Sequence, residues 1–438
     1  MSKKLFRRIF LLDITIIDEN FKVRRHCYVG IKGDKIDYIS HKMPQEDYGE
    51  VYAGRDKVLI PGLVNAHCHV AMTLLRGYAE GLPLDRWLQE KVFPFEAKIQ
   101  GEHFYYGAML GIAEMLASGV TSFSEMYFSV DEIARAVEET GIKCNLAVGV
   151  TSVGQSASFE QNPMVVHLKE MHQKWNGAQN GRILVDTCLH AEYTTDEHTV
   201  REMAALAQEW GSITHIHLSE TKKEQEECKT RHGGRSPARY FADCGILNGP
   251  THFAHCVHLE EEDRRLLAEH GASVAHCPAS NLKLGSGIAD VAALRSSGIC
   301  VAIGTDGAAS NNNLDMLAEL RLASLLCKGS TGDPCALPPE EVLYMATRAG
   351  ALSQGRENCG LIKEGFQADL AVIDLHRPHI QPVFDELNAI VYAARSSDVV
   401  LTMCDGRVLY RDGVYLTLGD EGIIAGCARS SGEILEKL

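Results

Sequence analysis

Histidines and one acid that could bind a metal ion follow three apolar segments of this chain. His67 and His69 come after the apolar run 58–64, while His217 and Asp306 each end a later run. Side chains two residues apart in a strand point to the same face, so His67 and His69 would present two imidazoles side by side. The four residues together supply the nitrogen and oxygen donors of a metal centre.

A metal ion held there would make the site hydrolytic. Catalytic zinc takes about three protein ligands and keeps one position for water. The ion lowers the pKa of that water from ~15.7 toward ~7, so hydroxide forms at neutral pH. Asp306 could also accept a proton. The pattern therefore predicts one divalent metal ion, with Zn²⁺ as the first choice and Mn²⁺ or Fe²⁺ as alternatives.

Glu220 and His255 are the residues that could move protons beside this centre. Glu220 follows His217 by three residues, so its carboxyl group would lie just past a strand end. There it could protonate a ring nitrogen and carry a proton to a leaving amine. Taken alone, Glu220 could instead be a solvated acid before a helix. His255 could be either a ligand or a base near the water.

Four other histidines receive weaker interpretations. His215 precedes His217 by two residues and shares its face, but it would lie deeper, so a packed histidine is favoured over a ligand. His252 and His258 are interpreted as packed side chains. His276 fits either role.

The elements that must position these residues form a repeat of helix, glycine and short apolar strand. Each glycine stands where a helix C-cap takes a positive φ. Strands alternating with helices predict a parallel sheet, and eight strands over about 290 residues predict a (β/α)8 TIM barrel. An open doubly wound sheet is the alternative; the barrel is favoured because candidate ligands end several strands. The predicted strands are Leu59–His67, Val120–Phe123, Lys143–Val148, Ile183–Leu189, Ile213–His217, Thr251–Ala254, Ser273–Ala275 and Ile299–Ile303.

Both ends of the chain resemble short β-strands joined by tight turns. Strand-like runs include Phe10–Ile17 and Cys27–Ile31 near the start and Val399–Met403 near the end. Neither end is long enough for a core of its own, so we expect them to combine in one small β-domain. The predicted division is residues 1–58 and 361–438 for this β-domain (with a tail) and 59–360 for the catalytic barrel.

Composition narrows the classes of function. The net charge is -15 and no basic run occurs, so nucleic acid is a poor partner and small neutral substrates fit better. The 14 cysteines include no CxxC pair, which is typical of reduced, buried thiols. No run reaches the ~18 apolar residues of a membrane span, and Asp13 interrupts the short apolar stretch after Lys3, Lys4, Arg7 and Arg8. We expect a cytoplasmic protein without a membrane partner.

Five sequence motifs, taken together, resemble the amidohydrolase superfamily and, more narrowly, the 5′-methylthioadenosine/S-adenosylhomocysteine deaminases. The resemblance runs from the N-terminal β-segment to about Val414. It implies a distorted barrel, a flanking β-sandwich built from both chain ends, and one divalent metal. The motifs are Pro61–His69, Met72–Gly77, His217–Glu220, His276–Asn281 and Gly304–Asn312.

The resemblance implies hydrolytic deamination of an adenosine-type nucleoside to the inosine analogue and ammonia. The implied metal ligands are His67, His69, His217 and Asp306. Glu220 would protonate purine nitrogen 1. His255 would orient the attacking hydroxide, whose proton Asp306 would take.

The same resemblance implies three substrate contacts. Trp87 would pack on the nucleoside, Glu96 would accept hydrogen bonds from the ribose diol, and His190 would contact the ribose. Without it, Trp87 could be the anchor of an amphipathic helix and Glu96 a surface acid. Relatives with two metal ions use a carboxylated Lys at the fourth strand, whereas Ile183–Leu189 contains none and is followed by His190. A single ion therefore fits better.

One departure from the family bears on the substrate. Relatives that bind a homocysteine carboxylate carry Arg residues after the third strand, but segment 151–159 contains no Arg or Lys. The expected substrates are therefore 5′-methylthioadenosine, 5′-deoxyadenosine or adenosine. S-adenosylhomocysteine would need an Arg from a neighbouring subunit of a homo-oligomer.

Two other functions stay open at this point. One is an aminohydrolase or chlorohydrolase acting on a triazine, a pterin or a free purine, in which Glu96 would have no evident partner. The other is a metal-free assembly protein on the same barrel.

Overall fold

The computed structural model describes residues 8–154 and 157–438. Lys3, Lys4 and Arg7 of the basic start lie outside the described residues, as do Gln155 and Ser156 of segment 151–159. The strands, in chain order, are β1 (Arg8–Ile17), β2 (Val23–Lys32), β3 (Lys35–Ser40), β4 (Glu50–Ala53), β5 (Lys57–Pro61), β6 (Leu63–Cys68), β7 (Val120–Glu125), β8 (Lys143–Ala147), β9 (Ile183–Leu189), β10 (Thr214–Leu218), β11 (Thr251–His255), β12 (Ser273–His276), β13 (Cys300–Ile303), β14 (Leu370–Asp374), β15 (Val399–Cys404), β16 (Arg407–Arg411) and β17 (Val414–Tyr415).

Most of the longer α-helices lie between the strands β6 to β14. The α-helices are α1 (Leu84–Trp87), α2 (Phe93–Glu96), α3 (Glu102–Ala117), α4 (Val130–Thr140), α5 (Pro163–Trp175), α6 (Ala178–Gly181), α7 (Glu197–Trp210), α8 (Lys222–Arg231), α9 (Pro237–Asp243), α10 (Glu261–Glu269), α11 (Pro278–Lys283), α12 (Val291–Ser296), α13 (Met316–Thr331), α14 (Pro339–Tyr344), α15 (Gly350–Ser353), α16 (Glu386–Asn388) and α17 (Asp420–Leu435). None of the helices within the described ranges is long and apolar enough to cross a bilayer.

Strands β6 to β13 form the predicted barrel. They pair in chain order, and each pair is parallel. Between the first and last strands, the Asn65 amide oxygen accepts a hydrogen bond from Thr305 N at 2.9 Å. The N–H of Asp306 donates to the carbonyl of His67 at 3.0 Å. The (β/α)8 prediction is confirmed, and polar contacts at the seam bring the ends of β6 and β13 together.

Glycines end the barrel helices where the sequence predicted them. The five glycines have φ angles between 62° and 89°, a region that L side chains rarely adopt. Gly141, for example, is the left-handed C-cap of α4, and a single residue separates it from the start of β8. These turns lead the chain from the end of each helix toward the next strand of the barrel. The five are Gly119, Gly141, Gly211, Gly271 and Gly298.

The prediction that Leu59–His67 forms one strand is wrong. The run is divided into β5, which belongs to the other sheet, and β6, which opens the barrel. Gly62 lies between the two strands. A residue with a side chain would not fit there, because its Cβ would come within 2.2 Å of Thr121 Oγ1. Its N–H donates to the carbonyl of Asp369 at 2.8 Å. The chain thus passes between the two sheets at a residue that has no side chain.

The second sheet joins both ends of the chain, as the sequence predicted. Within the described residues it contains nine strands, and β5 pairs with β1 on one side and β14 on the other. One buried apolar cluster includes residues of β1, β2, β14 and β15. Lys143 of β8 fixes this sheet to the barrel, because its Nζ lies 2.5 Å from Asp369 Oδ1 and also contacts Asp405.

The last helix, α17, was not predicted. It packs on helix α3 of the barrel, since a Cβ on Gly426 would come within 2.2 Å of the Tyr106 ring. Ser431 Oγ also donates to the carbonyl of Leu74 at 3.3 Å.

Candidate active site

Four predicted metal ligands meet at the carboxyl ends of the barrel strands. Asp306 Oδ1 lies 3.5 Å from His67 Nε2 and 3.2 Å from His69 Nε2. His217 Nε2 lies 3.4 Å from His69 Nε2. His255 also belongs to this group, because its ligand atom lies within 4.8 Å of those of His67 and His217. All five side chains are buried.

The donor atoms of this cluster fit a divalent cation. His67 Nε2 is buried and has no hydrogen-bond partner within the described residues. A buried nitrogen without a partner is costly. A cation that accepts its lone pair would remove that cost, and Asp306 would balance the charge. The set of imidazoles and one carboxylate is the type that binds zinc.

Hydrogen bonds from the protein hold the histidine rings so that each Nε2 faces the centre. His217 Nδ1 bonds the carbonyl of His190 at 2.7 Å, and His69 Nδ1 bonds the carbonyl of Met126. His67 Nδ1 instead bonds His215 Nε2 at 3.0 Å. Such bonds fix the ring orientation and raise the basicity of a metal-binding imidazole.

Asp306 is held on its other oxygen by two hydroxyl groups. Ser280 Oγ donates to Asp306 Oδ2 at 2.6 Å, and Ser310 Oγ donates to the same atom at 2.7 Å. Burial raises the pKa of Asp306, but the nearby imidazoles of His67 and His69 outweigh it and hold the pKa well below its usual value. The carboxylate is therefore anionic and aims Oδ1 at the histidines.

Glu220 and His255 lie beside the metal cluster and face each other. Glu220 Oε2 is 3.9 Å from His255 Nε2, and Glu220 Oε1 accepts from Ser286 Oγ at 2.9 Å. His255 Nδ1 bonds Asn281 Oδ1 at 2.8 Å. Burial raises the pKa of Glu220, which favours a carboxyl group that can hold a proton. The pair can thus exchange protons with a molecule bound between them.

These residues open into one cavity. Trp87, Glu96 and His190 all line it, so the structure brings the three predicted substrate contacts to the same cavity as Glu220 and Asp306. Most of the remaining wall is apolar, which suits a largely apolar ligand with a few directed polar groups. The apolar wall includes Leu84, Leu88, Val92, Phe93, Phe128 and Leu284.

Each of the three substrate candidates is held by a neighbour. Trp87 Nε1 donates to the carbonyl of Ala79 at 3.2 Å, and His190 Nδ1 bonds Thr194 Oγ1 at 3.1 Å. Glu96 Oε1 accepts from the Tyr127 hydroxyl at 2.7 Å. Burial raises the pKa of Glu96 to about 7, although the Tyr127 bond opposes the rise.

Sequence reasoning missed several residues that hold this site. Ser280 and Ser310 stand inside the motifs 276–281 and 304–312, so their motif membership was a usable signal. Tyr127 and Tyr193, which also line the cavity, had no spacing signal. His215 was recognised as a packed residue, but its bond to His67 was not foreseen.

The weaker histidine interpretations divide as follows. His252 is a packed residue, because it bonds the Ala66 carbonyl and Ser273 Oγ, both at 2.8 Å. His258 Nε2 bonds the carbonyl of Ser286 at 2.6 Å. His276 is buried and joins none of the candidate metal groups within the described ranges.

A second group of metal-type side chains, Glu192, Cys228 and His232, is structural. Glu192 Oε1 is 2.7 Å from His232 Nε2, and Glu192 Oε2 is 2.5 Å from a guanidinium nitrogen of Arg231. Arg231 and His232 thus already occupy the carboxylate. Burial raises the pKa of Cys228, which disfavours the thiolate that binds metals.

Known proteins resemble this chain over most of its length. The sequence pattern of the amidohydrolase family matches residues 58–409. The chain is 45% identical over 377 residues to a 5-methylthioadenosine/S-adenosylhomocysteine deaminase of Pelotomaculum thermopropionicum, covering 86% of each protein. It is 41% identical over 414 residues to a 5′-deoxyadenosine deaminase of Methanothermobacter thermautotrophicus, covering 94% of this chain and 95% of the relative.

The fold also matches a solved structure. An adenosine deaminase from Xanthomonas campestris, crystallised with bound zinc, superimposes with a TM-score of 0.92 at 30% identity and covers 98% of each chain. The sequence and the fold of this chain thus match the same group of proteins. The chain therefore belongs to the amidohydrolase family and is a hydrolase of carbon–nitrogen bonds.

Proposed function

We propose that this enzyme deaminates adenosine-type nucleosides to their inosine analogues and ammonia. One observation carries the proposal: a single cavity holds the Glu220–His255 pair, Asp306 and the buried acceptor Glu96. A proton-transfer pair beside a metal-type cluster suits attack on an amino-substituted ring. A second buried carboxylate in an apolar cavity suits a ligand with hydroxyl donors. The names of the relatives point to the same substrate class.

We assign one divalent cation, preferably zinc, to His67, His69, His217 and Asp306. Such an ion supplies an activated water for the reaction by lowering its pKa. The absence of Lys from β9 supports a single ion over two.

The residues beside the cluster perform the proton transfers in this proposal. His255 orients the attacking oxygen toward carbon 6 of the purine, and Asp306 accepts its proton at Oδ1. Glu220 gives a proton to ring nitrogen 1, so the ring accepts the electron pair as the carbon–oxygen bond forms. Asp306 then passes the proton it accepted to the amino group, which leaves as ammonia, and the added hydroxyl group returns a proton to Glu220 as the ring carbonyl forms.

The other end of the cavity binds the sugar. Glu96 accepts hydrogen bonds from the ribose hydroxyl groups, because a carboxylate has several lone-pair sites. Trp87 offers an aromatic face to the nucleoside, and His190 contacts the ribose. The apolar wall and the absence of Arg and Lys from segment 151–159 favour an uncharged 5′ substituent. If S-adenosylhomocysteine is a substrate, a neighbouring subunit of a homo-oligomer would supply an Arg for its carboxylate.

A substrate panel tests this function. Ammonia release is measured with adenosine, 5′-deoxyadenosine, 5′-methylthioadenosine, S-adenosylhomocysteine, guanine, a pterin and an amino-substituted triazine. We expect the uncharged adenine nucleosides to be the best substrates. Turnover of the triazine, pterin or free purine at a higher kcat/KM would instead favour the other aminohydrolase function. No turnover of any compound by metal-loaded protein would overturn the proposal.

A further inference from the structure

The residue pair Met126–Tyr127 connects the metal cluster to the sugar end of the cavity. The Met126 carbonyl accepts the hydrogen bond of His69 Nδ1. The next residue, Tyr127, donates its hydroxyl to Glu96 Oε1 at 2.7 Å. Two consecutive residues therefore fix both an assigned metal ligand and the assigned ribose ligand.

Tyr127 itself has little freedom to move. Its backbone N–H donates to the Ala147 carbonyl at 3.1 Å, and its carbonyl accepts from Gly149 N at 3.0 Å. The ring centroid lies 5.7 Å from that of Phe104 and 4.8 Å from that of Phe128. The side chain is only 3% exposed, and burial raises the pKa of the phenol well above its usual value. The hydroxyl is therefore a fixed donor.

The bond from Tyr127 occupies only one oxygen of Glu96. No described residue donates a hydrogen bond to Glu96 Oε2, although the side chain is 8% exposed and lines the cavity. A buried carboxylate with one oxygen held and the other free is oriented for a ligand that donates hydrogen bonds. A ribose diol is such a ligand.

We propose that Tyr127 is a positioning residue, which holds Glu96 so that the enzyme prefers ribonucleosides to 2′-deoxyribonucleosides. The inference rests on the proposed function. A site built to bond a hydroxyl group rejects an analogue that lacks it, because a buried acceptor then stays unpaired. That rejection depends on a carboxylate that cannot turn away to another partner. Tyr127 supplies this restraint from the protein side.

The test is Tyr127→Phe, which removes one oxygen and keeps the ring packing. We expect KM for adenosine to rise about tenfold, because a hydrogen bond to a charged group is lost, while kcat changes less than about twofold. KM for 2′-deoxyadenosine should change less, so the preference for the ribonucleoside falls. A second variant, Glu96→Gln, completes a double-mutant cycle. The double variant should be no worse than Glu96→Gln alone, since Tyr127 acts through Glu96.

Tyr52→Phe is the matched control. Tyr52 is a buried tyrosine of β4 in the other sheet, and its hydroxyl has no hydrogen-bond partner within the described part of the chain. This variant should keep the wild-type preference.

An unchanged preference in Tyr127→Phe, or losses that multiply in the double variant, would overturn the inference while wild-type turnover leaves the proposed function intact. If the wild type deaminates no nucleoside, both fall together. Melting temperature and metal content identify a Tyr127→Phe protein that is misfolded. In that case Glu96→Gln alone is the test, and it must remove the preference for the ribonucleoside.

Discussion

The ring of His215 holds the ring of His67, with 3.0 Å between His215 Nε2 and His67 Nδ1, although 148 residues separate them in the sequence. One nitrogen must donate and the other accept; when His67 Nδ1 donates, the lone pair of His67 Nε2 is free for a metal ion. His67 Nε2 is then left to face the metal cluster without a hydrogen-bond partner in the described structure. A residue that sequence reasoning treated as packing thus orients an assigned ligand.

Replacing this partner should weaken metal binding. We expect His215→Phe to fold normally and to bind zinc about 10- to 100-fold more weakly, the usual effect of losing a residue that orients a ligand. Competition with a chromophoric chelator measures the affinity, and circular dichroism checks the fold. His270→Gln is the control, because the ring of His270 bonds the Leu247 carbonyl at 2.9 Å and does not line the cavity. Equal zinc affinity in His215→Phe and the wild type would contradict the assignment.

The proton carried by Glu220 can be removed without changing the size of the side chain. Glu220→Gln should lower kcat for adenosine by about 10²- to 10⁴-fold, the range for losing a general acid or base. Its metal content should stay at the wild-type level. Glu226→Gln is the matched control, since Glu226 is an exposed acid of α8. Full activity in Glu220→Gln would refute the proton transfer.

Truncation of Glu96 should affect the substrate far more than the metal. In Glu96→Ala we expect KM for adenosine to rise about 10- to 100-fold, because hydrogen bonds to a charged acceptor contribute about 1.5–3 kcal/mol. Steady-state kinetics and metal analysis by mass spectrometry provide the two measurements. Unchanged kinetics would show that Glu96 does not bind the ribose. Loss of the metal ion would show that Glu96 supports the metal site instead.

Asp186 should make the stability of the fold depend on pH, independently of the reaction. Asn145 Nδ2 donates to Asp186 Oδ2 at 2.9 Å, and burial raises the pKa of Asp186 to about 7. In the unfolded state the pKa of an Asp is about 3.9. Between these values the folded state keeps a proton that the unfolded state has released. The free energy of unfolding therefore falls as pH rises from about 4 to 7.

The variant Asp186→Asn has no proton to release and should lack this decline. We expect the difference in unfolding free energy between about pH 5 and about pH 8 to be smaller in the variant by about 2.6 kcal/mol. Urea denaturation of both proteins at the two pH values gives the measurement. Parallel pH dependence in the wild type and the variant would show that Asp186 does not titrate in this range.

Local chemistry explains why much of the architecture could be predicted. Glycines such as Gly141 end helices for a steric reason that acts within a few residues, so the alternation of helix and strand was visible in the sequence. The division at Gly62 was not, because it depends on Thr121 of a neighbouring strand. Helix α17 was missed for a similar reason: its contact with Tyr106 joins residues more than 300 positions apart.

The sequence by itself determined which side chains could bind a metal and move protons, because residue type and position at a strand end are local properties. Tertiary structure alone decided which atoms hold them: His215 on His67, Ser280 and Ser310 on Asp306, and Tyr127 on Glu96. A hydrogen bond needs donor and acceptor within about 3 Å. Closure of the barrel sets that distance for residues far apart in the chain, and their spacing in the sequence carries no record of it.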